Sequence, residues 1–187
     1  MIITISGRPG SGKSAVATRA AEALGLRHAS AGDFMREMAE ERGLSILELS
    51  RSAEKRSEID REIDARTVRL GQESDDFVID ARLGWHFLPA SIKVFLEVRP
   101  EVAAERIYGA KRGSERENID LEATRRAIES RTASEVKRYR DYYGVDYGDH
   151  DHYDLVVDTS ELPIGQVVQE IVDYVRREES GKPASVG

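Results

Sequence analysis

The stretch Ile2-Ile3-Thr4-Ile5-Ser6-Gly7-Arg8-Pro9-Gly10-Ser11-Gly12-Lys13-Ser14 decides how the rest of the chain is read. Residues 2 to 6 form a short β-branched run, Gly7 to Ser14 satisfy G-x-x-x-x-G-K-[ST], and Ala15 to Leu24 is a helix-forming segment that stops at Gly25. The order predicts strand, loop and helix, the setting in which this motif holds phosphate. Glycines let the backbone curl until successive amides point inward, and the following helix turns its positive end to the same place. Lys13 is then placed to neutralise terminal phosphate oxygens, and Ser14 to ligate Mg2+. Gly7, Arg8, Pro9, Gly10, Ser11, Gly12, Lys13, Ser14 and Ala15 are the expected nucleotide contacts, with the side chain of Arg8 itself reading as a solvated or surface-paired arginine.

Outward from the loop, apolar runs recur at 77–79, 92–98 and 155–157, and a further strand region precedes Ser30. These runs are too continuous for strands with one wet face and read as buried parallel strands. Helices are expected over 33–43, 45–54, 58–72, 100–110, 121–142 and 163–178, with Pro100 and Pro163 where a first helical turn tolerates proline. Strands alternating with helices predict an α/β fold, a doubly wound parallel sheet of five strands. One domain over 1–178 is expected, with a frayed tail from 179 to 187. The segment Lys111-Arg112-Gly113-Ser114-Glu115-Arg116-Glu117-Asn118-Ile119-Asp120 offers one apolar residue and reads as an exposed lid.

Composition narrows the chemistry. A net charge of -7 over 187 residues argues against a stable nucleic-acid partner, which would need a basic face. No apolar run reaches membrane-spanning length and the start carries no charged leader, so a cytoplasmic location is expected. The absence of cysteine excludes disulfides, Cys-ligated zinc and thiol catalysis. No N-K-x-D guanine signature is present, which argues against a GTPase. No apolar surface stripe marks a dimer interface, and a monomer is the default.

Ser30-Ala31-Gly32-Asp33-Phe34-Met35-Arg36 resembles the [ST]-x-G-D-x-x-R element of adenylate and cytidylate kinases. From the loop to about residue 178 the chain resembles the cytidylate kinase family, and most its short archaeal-type branch. The resemblance implies a fold of the P-loop NTP hydrolase type, a helical acceptor-binding insertion over 33–72 and a short lid over 111–120. It also implies ATP and Mg2+ as cofactors and transfer of the ATP γ-phosphate to CMP or dCMP.

On the residues alone, Asp33 and Arg36 lie three apart and address one site at a helix start, while Ser30 with Asp33 also reads as a capping arrangement. The resemblance gives Asp33 a catalytic and metal role and gives Arg36 the acceptor phosphate. Val78-Ile79-Asp80-Ala81-Arg82 sets an acid and an arginine beyond the carboxyl end of a strand, the edge where ligands bind in such sheets. Relatives have D/E-G-R here, so Arg82 resembles the second phosphate-gripping arginine, with Asp80 near the metal or the base. Ala81 replaces the usual glycine, and its methyl group is expected to crowd a close approach. Trp85 reads as core.

Arg131, Glu135 and Arg138 follow i, i+4, i+7 spacing and share one helix face. By resemblance they bind the monophosphate and its base; the other reading is a solvated salt-bridged face. Between Arg106 and Arg140 there are ten basic against six acidic residues, a local excess suited to an anionic ligand. Lys111, Arg112 and Arg116 are arginine-finger candidates, and Arg66 is a candidate acceptor contact. Arg106 and Thr159 resemble residues beside the adenine. His150 and His152 alternate with acids on opposite sides and read as surface loop. A kinase for AMP, UMP or another small molecule, and a non-catalytic ATP-binding assembly factor, remain open on the sequence.

Overall fold

The computed structural model describes residues 1–45, 48, 49, 52, 57–110 and 120–181. The expected finger residues Lys111, Arg112 and Arg116, most of the predicted helix over 45–54 and the last six residues lie outside the described residues.

Five strands, β1 (Ile2–Gly7), β2 (Arg27–Ser30), β3 (Phe77–Asp80), β4 (Ile92–Glu97) and β5 (Leu155–Asp158), form one sheet in the order β2-β3-β1-β4-β5. Every neighbouring pair is parallel. Seven helices are described: α1 (Lys13–Leu24), α2 (Ala31–Glu41), α3 (Ser57–Glu73), α4 (Gly84–Phe87), α5 (Pro100–Gly109), α6 (Leu121–Tyr143) and α7 (Ile164–Gly181).

Helices on both faces explain why β1 is buried at every position from Ile3 to Gly7 and carries no polar alternation. On one face Ile3 and Ile5 pack with Val16, Ala17 and Ala20 of α1 and with Val167, Ile171 and Val175 of α7. The last three recur every four residues, a single apolar stripe. On the other face Phe77, Ile79, Ala81 and Leu88 gather with Phe34, and Phe95 joins Leu83, Trp85, Tyr139 and Tyr147. A separate small cluster of Met38, Ala39, Leu49 and Ile59 joins α2 to α3.

Register determines what meets at the site. Ile5 and Ser30 both pair with Asp80, and Gly7 pairs with Leu96, so the carboxyl ends of β1, β2, β3 and β4 converge. Ser30 caps α2 by accepting from the Gly32 amide at 3.1 Å, and the Asp120 side chain caps α6 by accepting from the Ala123 amide at 2.6 Å.

Ala81 is 6% exposed, and it belongs to the Phe77 and Leu88 cluster. The short helix α4 is not visible in the periodicity, because four residues are too few to show a period. Trp85 is core, as expected, yet its ring stacks on His152 at 4.2 Å between centroids. His150–His152 form a 3-10 turn, and among the described residues no acid and histidine group is arranged to hold a metal. No described helix is long and apolar enough to cross a membrane.

Candidate active site

The loop turns on glycines in the left-handed region. Gly10 adopts φ 81°, and a Cβ there would lie 2.8 Å from both Cα and Cβ of Ala103 in α5. Gly12, at φ 82°, precedes α1 without any side-chain cap, which leaves the first helical amides free for an anion. The Ser11 hydroxyl is buried and has no hydrogen-bond partner among the described residues. Arg8 takes the surface-paired course, its Nε donating to Glu97 Oε1 at 3.0 Å.

Asp80 is the acidic hub of the loop. It is 1% exposed, and its Oδ2 accepts from Lys13 Nζ at 3.1 Å and from Ser14 Oγ at 2.6 Å. His28 Nε2 stands 3.5 Å from Oδ1. Burial pushes the Asp80 pKa up, but the Lys13 charge and the hydroxyls of Ser14 and Ser30 outweigh it and hold the carboxyl below its usual range. Burial in turn lowers the pKa of Lys13, with Asp80 opposing. Asp33 stands elsewhere in this network: it forms an ion pair with Arg36, and both side chains are exposed. The carboxylate against Ser14 is therefore Asp80.

Arg82, two residues after the end of β3, points two ways. Its Nη1 donates to the carbonyl of Gly7, the first loop glycine, at 2.8 Å, and its Nε donates to Glu135 Oε2 at 2.8 Å. Glu135 Oε1 accepts from Arg131 Nε at 3.1 Å, and the Tyr147 hydroxyl donates to Oε2 at 3.3 Å. Glu135 is only 7% exposed. Burial pushes its pKa up, but Arg82 and Arg131 overcome this and hold the carboxyl at about 2. Arg138, a turn further along α6, faces Asp60 of α3, with Nε 3.1 Å from Oδ2.

Arg106 and Thr159 also meet at the loop. Arg106 Nη1 donates to Thr159 Oγ1 at 3.1 Å and to the Gly10 carbonyl at 3.4 Å, while Nη2 donates to the Thr159 carbonyl at 2.5 Å. Arg66 is differently engaged: its guanidinium is shared among Glu37, Glu41 and Glu62. It ties α2 to α3. The buried acid of that helix is Asp60, which the sequence reading missed because RSEIDREIDAR gives every charge a similar context.

The profile of the cytidylate kinase-like family matches residues 2–161. The chain belongs to that family. Among relatives of this cytidylate kinase-like chain, the cytidylate kinase of Methanothermobacter thermautotrophicus is 45% identical over 160 residues, covering 86% of the present chain and 96% of the relative. That of Methanocaldococcus jannaschii is 40% identical over 185 residues, covering 95% and 100%. In fold, the family member is similar to a shikimate kinase from Bacteroides thetaiotaomicron, with TM-score 0.69, 16% identity and coverage of 94% and 98% of the two chains. A shikimate kinase from Aquifex aeolicus gives TM-score 0.56 and 22% identity, covering 97% and 100%. The fold is that of P-loop kinases.

Proposed function

We propose that this chain is a nucleoside monophosphate kinase that transfers the γ-phosphate of ATP to CMP or dCMP. The observation that carries the reading is the double contact of Arg82, which touches the phosphate loop through Gly7 and the Arg131–Glu135 cluster through Glu135. One rigid guanidinium thus joins a donor site to a cationic acceptor site. Family membership supports the same reading through relatives that are named cytidylate kinases.

The loop amides and Lys13 hold the β- and γ-phosphates of ATP, and Arg106 with Thr159 borders its adenine. Ser14 and Asp80 fit a Mg2+ ion: two hard oxygens lie 2.6 Å apart beside the loop, and Asp80 Oδ1 is buried without a hydrogen bond among the described residues. When bound, that ion supplies charge neutralisation on the β- and γ-phosphate oxygens. Asp33, exposed and paired with Arg36, is proposed for its water shell. Arg82, Arg131 and Arg138 are assigned to the acceptor, with Arg36 reaching its α-phosphate when freed from Asp33. Planar guanidinium groups suit this task because each can donate two parallel bonds to phosphate.

In the step itself an oxygen of the acceptor phosphate attacks the γ-phosphorus while the bond to the β–γ bridging oxygen breaks, and ADP departs. No protein group is phosphorylated. Catalysis is positioning and charge neutralisation, so water must be kept out. The acceptor-binding segment 33–72 and the lid over 111–120, with Lys111, Arg112 and Arg116, are the parts proposed to close.

ADP release with Mg2+-ATP and CMP, dCMP, UMP, AMP or no acceptor tests the proposal. Strong turnover with CMP or dCMP, abolished in Lys13→Ala and in Arg131→Ala, is expected. Acceptor-independent or absent turnover in the unaltered protein would contradict it and favour an ATP-binding factor.

A further inference from the structure

Side chains of α1, β2 and β3 close a ring behind the phosphate loop. Ser14 Oγ donates to Asp80 Oδ2 at 2.6 Å, and His28 Nε2 lies 3.5 Å from the other carboxylate oxygen, Oδ1. On the far side of the imidazole, Nδ1 lies 3.4 Å from Thr18 Oγ1, and that oxygen lies 3.0 Å from the Ser14 carbonyl, one turn back along α1. The parallel pairing of β2 with β3 sets His28 beside Val78 and Ser30 beside Asp80, so the imidazole reaches the carboxylate from the neighbouring strand. A carboxylate oxygen can only accept, which puts the ring hydrogen that faces Asp80 on Nε2. Nδ1 is then an acceptor facing the Thr18 hydroxyl, whose one hydrogen serves either Nδ1 or the Ser14 carbonyl. His28 belongs to none of the apolar clusters, so the contact is polar and contributes little to the core.

Without nucleotide, Asp80 Oδ2 is held by Lys13 Nζ at 3.1 Å and by Ser14 Oγ, and His28 stands at the outer limit of a hydrogen bond. On the proposed reading Mg2+-ATP claims both of those partners, Lys13 for phosphate oxygens and Ser14 for the metal. Asp80 then keeps His28 and the Ser30 hydroxyl, which the nucleotide does not claim. We infer that His28 is a positioning residue for the transfer, holding Asp80 Oδ1 in the loaded site so that Oδ2 stays turned to the metal position beside Ser14. Groups that orient a metal-binding carboxylate from behind set metal affinity without touching the metal. Thr18 extends the same hold by fixing the far edge of the imidazole to α1.

The inference rests on the proposed kinase reading and its Mg2+ position, and is tested with His28→Leu, His28→Gln and His28→Asn. A glutamine amide nitrogen reaches the place of Nε2, whereas an asparagine amide nitrogen reaches only that of Nδ1, so glutamine alone restores a donor at Oδ1. Calorimetry gives the affinity for a non-hydrolysable ATP analogue with Mg2+ and with EDTA, and steady-state kinetics gives kcat and the KM for CMP. In His28→Leu the gain in affinity brought by Mg2+ is expected to shrink about tenfold while the affinity in EDTA stays unchanged. The kcat should fall by a similar factor and the KM for CMP should not move. His28→Gln is expected to recover most of both losses, and His28→Asn neither. If His28→Leu does not fold, Thr18→Val takes its place; it removes the hydroxyl beside Nδ1 and is expected to reduce the Mg2+ gain in the same direction by a smaller factor. An unchanged Mg2+ gain, a loss equal with and without Mg2+, or a His28→Gln protein no better than His28→Leu would reduce His28 to a structural contact and overturn the inference while leaving the kinase reading intact. Absence of any Mg2+ gain in the unaltered protein would overturn the metal position and the inference together.

Discussion

Asp80 shows how one side chain acquires a role from its neighbours in space. The sequence places it beyond a strand but cannot say whether it serves metal or base; the parallel register of β3 against β1 brings it to Lys13 and Ser14. Removing its charge leaves Lys13 without its counterion and, on the proposed reading, removes an oxygen that would hold Mg2+. Asp80→Asn is expected to lower kcat by about 10²–10³ with the KM for CMP little changed, read by steady-state kinetics. A loss confined to the acceptor KM would instead place Asp80 at the base.

Glu135 gives a stability test. Its folded pKa, about 2, is below the ordinary 4.5, so the stability it contributes is present above 4.5 and is lost as pH falls toward 2. The loss is on the order of 3 kcal/mol. The difference in thermal midpoint between the unaltered protein and Glu135→Gln should therefore narrow between pH 4.5 and 2; a constant difference would contradict the assignment. At this scale Lys13 and Ser14 were marked by motif spacing, Arg131 and Glu135 by helix periodicity, and Arg82 by its place beyond a strand end and by resemblance. Asp60 was not, since burial depends on which face of α3 meets α6.

The elements were largely legible because buried parallel strands are written as apolar runs and α1 and α6 end at Gly25 and Gly144 in the left-handed conformation. Contacts between elements were not. Gly10 in the motif reads only as a flexible position, whereas in the fold it is where the loop lies against α5, with no room for a methyl group beside Ala103. Gly10→Ala combines a strained φ with this overlap and is expected to destabilise by about 2–4 kcal/mol, measured by urea unfolding. Gly12→Ala, with open space around its site, is expected to cost only the strain, about 1 kcal/mol. Equal losses in the two variants would mean that the approach to α5 does not matter.

Across the whole molecule, four of the arginines expected at the acceptor are each met by a carboxylate: Arg82 and Arg131 by Glu135, Arg138 by Asp60, Arg36 by Asp33. Such pairing offsets the like charges of neighbouring guanidinium groups, and on the proposed reading an incoming phosphate competes for them. The net charge of -7 hinted at none of this, because only the fold brings the basic residues of α6 to the loop. The most direct measurement is to follow the labelled γ-phosphate of ATP in the presence of Mg2+ and CMP. The account predicts that the label appears in CDP, with little released as inorganic phosphate, and that Lys13→Ala abolishes the transfer. Label recovered only as inorganic phosphate, or retained in ATP, would contradict it.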